Sequence, residues 1–229
     1  MLGGHAKEEA RTGVNRMQAG HNTVTNRQTI DLTKETDSCS ERSGAIMNIA
    51  LVGQPNVGKS VIMNLLTGAG AMVSNYPGTT VEITEGYFPT PAGKVRIIDT
   101  PGIYSLHSDT EEQKVTQRIL LEENVDMIIN VVDARNLSRN LYLTLQLLEL
   151  NIPLILVLNQ MDMAEELGME IDVGSLSRIL GVPVLTMVAA KGKGLEKLET
   201  MISKVAEHSK DTRPDERHVP VFNRVPKED

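Results

Sequence analysis

The chain reads as an α/β domain with a mainly parallel, doubly wound sheet and one antiparallel strand. Three observations predict this. An apolar, strand-length run at residues 46–52 leads into Gly53-Gln54-Pro55-Asn56-Val57-Gly58-Lys59-Ser60, and a helical stretch at 61–66 follows. Strand-like and helix-like segments then alternate as far as residue 207, the pattern of parallel strands joined by helical crossovers. The one departure is a pair of strand-like runs, 81–88 and 94–99, joined by Pro89-Thr90-Pro91-Ala92-Gly93; this reads as a hairpin and supplies the antiparallel strand.

Taken in order, residues 1–44 mix Gly, Thr, Asn, Gln and both charge signs without periodicity and read as a disordered leader. His5 and His21 stand alone in it, as solvated histidines rather than metal ligands. Residues 68–80 carry Gly, Ser, Asn and Pro with neither helical nor strand period, and read as a loop. A polar helix over 110–123 leads into an apolar run at 126–132, and a helix over 138–149 leads into 153–159. Shorter helical signals lie at 164–168 and 173–180, before a strand at 182–188 and a final helix at 195–207. From His208 onward the chain turns polar, with Pro214, Pro220 and Pro226, and reads as a tail or linker without a core. The organisation is therefore a leader at 1–44, one domain at 45–207 and a tail at 208–229. Most of the 11 methionines fall inside the elements and serve as core filling.

At 229 residues the chain holds one α/β domain with a sizeable core. A net charge of −7, a pI near 5.3 and the absence of Trp exclude a general nucleic-acid surface, which needs clustered cations and stacking platforms. Its single cysteine, Cys39, cannot form an internal disulfide, which fits a reducing, cytoplasmic compartment. No run approaches the roughly 18 apolar residues that cross a bilayer. The longest, 152–158, is strand-length and contains Pro153, and the N-terminus carries no signal pattern.

Chemistry concentrates in four strings. In Gly53 to Ser60 the glycines let successive backbone N–H groups point inward, and the helix N-terminus adds a dipole for anionic oxygens. Lys59 is placed to reach β- and γ-phosphates, and the Ser60 hydroxyl to ligate Mg²⁺. Asp99-Thr100-Pro101-Gly102 ends a strand about 40 residues past Lys59. Asp99 there can hold Mg²⁺ through water while the Gly102 N–H bonds a γ-phosphate. Asn159-Gln160-Met161-Asp162 follows a buried strand, where the Asp162 carboxylate can accept the N1–H and 2-amino groups of guanine. Adenine offers neither donor, so such a site discriminates by roughly 10⁴-fold and GTP is favoured over ATP. Gln160 stands where Lys is commoner, which removes an aliphatic stem from over the base. Val188-Ala189-Ala190-Lys191-Gly192 follows the last strand and offers the Ala189 N–H to guanine O6.

This ordered set resembles the translation-factor-related GTPases. Asn75-Tyr76-Pro77-Gly78-Thr79-Thr80-Val81-Glu82, with Asp99-Thr100-Pro101-Gly102-Ile103-Tyr104-Ser105-Leu106, is similar to the P-loop GTPase G domain of the ferrous iron transport protein FeoB family. The resemblance covers about 45–207. It implies that the loop before Val81 is switch I, with Thr80 closing onto Mg²⁺ and γ-phosphate, and that residues 99–106 are switch II. Ile103 stands where many small GTPases carry a water-orienting glutamine, so turnover rests on electrostatics and is expected on the order of 10⁻⁴ to 10⁻² s⁻¹. The resemblance further implies that Asn56 helps bind an activating K⁺; shaping the loop through its own hydrogen bonds is the alternative.

The implied catalytic set is Lys59, Thr80, Gly102 and Asn56. The implied nucleotide contacts are Gly53, Asn56 to Ser60, Asn159, Gln160, Asp162 and Val188 to Ala190. Family members continue into a helical domain and a membrane permease, whereas residues 208–229 are a polar tail. The chain is therefore expected to be a fragment or a short relative that does not itself conduct iron. The function expected is a Mg²⁺-dependent GTP hydrolase that signals to an iron permease region at the inner face of the membrane. Two readings stay open beside it, a ribosome- or RNA-associated GTPase and a slow nucleotide sensor, and homo-oligomerisation is left open.

Overall fold

The computed structural model describes residues 47–107 and 109–211. The expected leader, with His5, His21 and Cys39, and the tail past residue 211 lie outside the described residues.

Among the described residues, seven strands form one sheet in the order β2-β3-β4-β1-β5-β6-β7. They are β1 (Met47–Gly53), β2 (Met72–Asn75), β3 (Glu82–Thr90), β4 (Gly93–Asp99), β5 (Met127–Asp133), β6 (Leu154–Asn159) and β7 (Val184–Thr186). β3 alone runs against the rest, paired antiparallel to both β2 and β4; the other pairings, such as Ile49↔Ile97 and Leu51↔Ile129, are parallel. The described residues also form the helices α1 (Lys59–Thr67), α2 (Glu111–Glu122), α3 (Leu137–Glu149), α4 (Met161–Glu166), α5 (Val173–Leu180) and α6 (Leu195–Asp211), which cover the sheet.

Strand side chains alternate between faces, so each apolar strand feeds two cores. Ile49, Leu51, Ile97, Ile129 and Val157 pack with Ile62 and Met63 of α1 and Leu198 and Ile202 of α6. Ala50, Val52, Ile128, Leu156 and Leu158 face the other way, against Leu143 and Leu147 of α3 and the flank of α5. Tyr76, Ile83 and Ile98 meet Val115 and Ile119 of α2 in a third cluster beside the turn before β3. α2 is started by a capping box between Thr110 and Gln113. Among the described residues no helix is long and apolar enough to cross a membrane.

The structure departs from the sequence expectations at strand ends. Residues 68–80 are not all loop: a single 3-10 turn, Gly68–Gly70, precedes β2, whose strand state comes from pairing with β3 at the sheet edge. The hairpin connection narrows to Pro91-Ala92, with the Thr90 hydroxyl donating to the Gly93 carbonyl at 2.7 Å. β7 keeps only three residues, because Val188 leaves the sheet to bridge Lys193. α4 starts at Met161, ahead of the expected 164, and α6 runs on to Asp211.

The strand order reverses about β1: β2 to β4 lie on one side and β5 to β7 on the other. Loops at the carboxyl ends of strands meet at such a reversal, which is where ligands bind in open α/β sheets. The β3–β4 half is tied down by a buried charge cluster. Arg96, 4% exposed, donates to both Glu85 oxygens at 2.8 and 3.1 Å and to Glu123 at 3.0 Å. Arg96→Ala leaves Glu85 buried without its guanidinium and is expected to cost about 3–5 kcal/mol. Urea denaturation should show a lower midpoint at unchanged m-value; an unmoved midpoint would show that the cluster adds nothing.

Candidate functional site

The loop between β1 and α1 turns through two left-handed residues, Asn56 (φ 64°) and Gly58 (φ 97°). Gly58 has no alternative, since a Cβ there would run into the Asn159 side-chain amide. Asn159, 3% exposed at the end of β6, splits its amide between two loops. Its Nδ2 donates to the Val57 carbonyl at 2.9 Å, and its Oδ1 accepts the Ala189 N–H at 2.9 Å. One buried side chain thus holds the 53–60 loop and the loop after β7 together.

Gln160, also left-handed (φ 62°), adds a second tether by donating its Nε2 to the Asn56 carbonyl at 3.2 Å. Its Oε1 is buried without a hydrogen-bond partner.

At the β4 end, Ser60 Oγ donates to Asp99 Oδ2 at 2.9 Å, while Asp99 Oδ1 is buried with no partner. Burial pushes the Asp99 carboxyl above its ordinary value, against the pull of Lys59 and Ser60. Burial likewise lowers the Lys59 ammonium, partly offset by Asp99. Lys59 Nζ turns back onto the Gly53 and Gln54 carbonyls at 3.3 and 3.4 Å. A half-satisfied carboxylate beside a hydroxyl fits a hard cation such as Mg²⁺. Because the described residues hold no cluster of three or more His, Cys, Asp or Glu, such an ion would take its remaining oxygens from phosphate and water.

The segment 99–106 leaves β4 against this loop. A Cβ on Gly102 would come within 2.9 Å of Pro55, and the Ile103 N–H donates to the Gly53 carbonyl at 3.2 Å. Ile103 itself is 2% exposed, so its aliphatic side chain belongs to the core. Thr80 sits on the exposed turn between β2 and β3, outside the Ser60–Asp99 pair. It is Thr79 that braces this turn: its hydroxyl donates to the Tyr76 carbonyl at 3.0 Å and accepts the Val81 N–H at 3.3 Å.

A family model described as ferrous iron transport protein B matches residues 47–202. The chain belongs to the FeoB family. The Fe(2+) transporter FeoB of Salmonella typhimurium is 46% identical over 162 residues, which are 69% of this chain and 21% of that protein. This chain thus spans about a fifth of the length of the curated relatives that it matches. Among solved structures, the cytosolic domain of T. maritima FeoB in apo form superposes with a TM-score of 0.67 at 39% identity, covering 70% of this chain and 64% of that one. The FeoB G-domain from Methanococcus jannaschii gives 0.62 at 43% identity, over 70% of this chain and 97% of that one. S. thermophilus NFeoB, crystallised as a point mutant bound to GDP, gives 0.65 at 43% identity, over 70% of this chain and 61% of that one. The fold is that of a P-loop GTPase G domain.

Within this FeoB-family domain the expected strings do converge, with one correction. The Ala189 N–H, expected to meet guanine O6, is already given to Asn159 Oδ1, and Ala189 is 3% exposed. The next residue of that turn, Ala190, is exposed, and its N–H falls in the first turn, where a helix has no acceptor of its own. Asp162 lies on α4, its Oδ2 paired with Lys191 Nζ at 2.6 Å and its Oδ1 accepting the Met163 N–H at 3.0 Å. That lysine hydrogen bond holds the Asp162 carboxyl below its ordinary value.

Several supporting residues escaped the sequence reading. Buried Gln54 donates to the Arg139 carbonyl at 3.0 Å, and Gln146 Oε1 accepts the Leu106 N–H at 2.8 Å, so α3 grips both the 53–60 loop and the segment 99–106. Arg139 also lies over the Tyr104 ring, 4.8 Å from its centroid. Asn130 interrupts the apolar run of β5, which was a visible signal. Its amide donates to the Val52 carbonyl and accepts the Thr144 hydroxyl.

The raised Asp99 value has a thermodynamic sign. The folded, ligand-free state holds the Asp99 proton more tightly than the unfolded chain does, so its stability falls as pH rises through that interval. Asp99→Asn removes the dependence. It should raise the Tm measured without Mg²⁺ by roughly 2–4 °C, the equivalent of about 1 kcal/mol for a domain this size. A lower Tm across the same pH range would mean that the carboxylate stabilises the empty site.

Proposed function

We propose that this FeoB-family domain binds GTP and GDP with Mg²⁺, hydrolyses GTP slowly, and reports its nucleotide state to a membrane permease region that takes up ferrous iron. The observation that carries this reading is the convergence, around buried Asn159, of the phosphate loop with the two loops that contact a base. The GDP held by the S. thermophilus relative and the transporter names of the curated relatives support it by kinship. Iron uptake is then the work of a larger assembly at the membrane's cytoplasmic face, and this domain is its switch.

Backbone N–H groups of residues 57–60 receive the phosphates, and Lys59 leaves the Gly53 and Gln54 carbonyls to pair with the β- and γ-phosphates. Ser60 and Asp99 would hold Mg²⁺, which would supply positive charge to the phosphates. Gly102 offers its N–H to the γ-phosphate, and Thr80 moves in from its exposed turn. Water then forms a bond to the γ-phosphorus as the bond to the bridging oxygen breaks, giving GDP and phosphate. Buried Ile103 cannot orient that water, so the rate rests on charge alone and stays on the order of 10⁻⁴ to 10⁻² s⁻¹. Asn56, with an exposed side chain on a left-handed backbone, would hold K⁺ beside the phosphates. The base is chosen by Asp162, with Ala190 taking the O6 contact first assigned to Ala189. Loss of the γ-phosphate frees Gly102 and with it switch II, which Gln146 and Arg139 couple to the outer face of α3.

GTP turnover in KCl against NaCl at equal ionic strength, with Asn56→Ala and Lys59→Ala alongside, tests the reading. K⁺ should stimulate the parent domain and not Asn56→Ala, and Lys59→Ala should lose triphosphate binding. Equal rates in both salts would remove K⁺ from the mechanism, and unchanged GTP affinity in Lys59→Ala would overturn the phosphate-loop assignment itself.

A further inference from the structure

The carboxylate assigned to guanine already has partners within the chain. Lys191 Nζ stands 2.6 Å from Asp162 Oδ2, and the Met163 N–H occupies Oδ1. Lys191 belongs to the short turn Ala189–Lys191, whose first N–H is pinned by Asn159, so a buried anchor sets the reach of the ammonium. Guanine would present N1–H and 2-amino hydrogens to the same carboxylate, the positive ends of their dipoles facing an ammonium of the same sign.

We propose that Lys191 is a built-in competitor of the base: on the reading that Asp162 selects guanine, the ammonium occupies that carboxylate when the site is empty and must leave when guanine enters. A second acceptor lies ready for it. Glu166 is four residues beyond Asp162 on the same face of α4 and already attracts the Lys191 charge. The ammonium therefore moves between two carboxylates one helical turn apart, Asp162 in the empty domain and Glu166 in the loaded one. The pair is solvent-exposed, 57% at Lys191 and 26% at Asp162, so it tunes affinity and does not block binding.

The test is GDP affinity by fluorescence titration for the parent, Lys191→Met, Lys191→Arg and Asp162→Asn. Methionine keeps an apolar stem for the base and removes only the charge. Lys191→Met should bind GDP about two- to five-fold tighter, as expected from losing an exposed ion pair that exists only in the empty state. The gain should shrink toward 1 M salt, where the Debye length is about 3 Å. Lys191→Arg should behave as the parent. Adding Lys191→Met to Asp162→Asn, read with xanthosine diphosphate, should change nothing. Equal or weaker GDP binding by Lys191→Met, or a gain that survives Asp162→Asn, would overturn the competitor role. Asp162→Asn with undiminished preference for guanine over adenine and xanthine would instead overturn the base-site reading beneath it.

Discussion

The side-chain amide of Asn159 is the interaction on which the rest of the site depends. It is buried at the end of β6 and spends its donor on the Val57 carbonyl and its acceptor on the Ala189 N–H, both at 2.9 Å. A buried amide stripped of such partners costs roughly 1–3 kcal/mol, so the two loops are held at a fixed spacing wherever the domain is folded. On the proposed function, that spacing sets the distance from phosphate cradle to base contact. Gly58 follows from it, because the amide occupies the space a Cβ would need. Gln160 reinforces the same junction from the next residue along.

Around this fixed junction the site is only partly satisfied. Asp99 Oδ1 and Gln160 Oε1 are buried without partners, Lys59 is folded onto carbonyls of its own loop, and Asp162 is paired with Lys191. Buried polar groups left short of partners mark places where a ligand completes the bonding. The domain is thus a close-packed sheet carrying loops with spare hydrogen-bonding capacity. The segment 99–106 joins those loops to α3, since it touches the 53–60 loop through Gly102 and Ile103 and touches α3 through Leu106 and Tyr104.

Much of this was legible in the residues because each loop's chemistry is local in sequence. The 53–60 string, flanked by strand and helix, needed no tertiary information, and the helix at 173–180 was read at its observed bounds. β2 was not legible: Met72-Val73-Ser74-Asn75 is too short to show a period, and its strand state is imposed by register with β3. The contacts that cross the fold were equally hidden. Ala189 looked available because nothing in the sequence places Asn159 beside it, and Lys191 and Asp162 meet across 29 positions only once β6 and β7 are paired. Gln54 and Gln146 are polar residues whose buried partners lie on other elements, so composition alone gave them no role.

The most direct measurement is calorimetric titration of Asn159→Ala with GDP and, separately, with tripolyphosphate, at a temperature where the variant remains folded. If one amide keeps the phosphate cradle and the base loop in register, affinity for both ligands falls together, by roughly tenfold for each 1.4 kcal/mol of lost positioning. Tripolyphosphate binding that survives intact while GDP binding falls would contradict the account, since Asn159 would then serve the base alone and the phosphate loop would hold its shape without it.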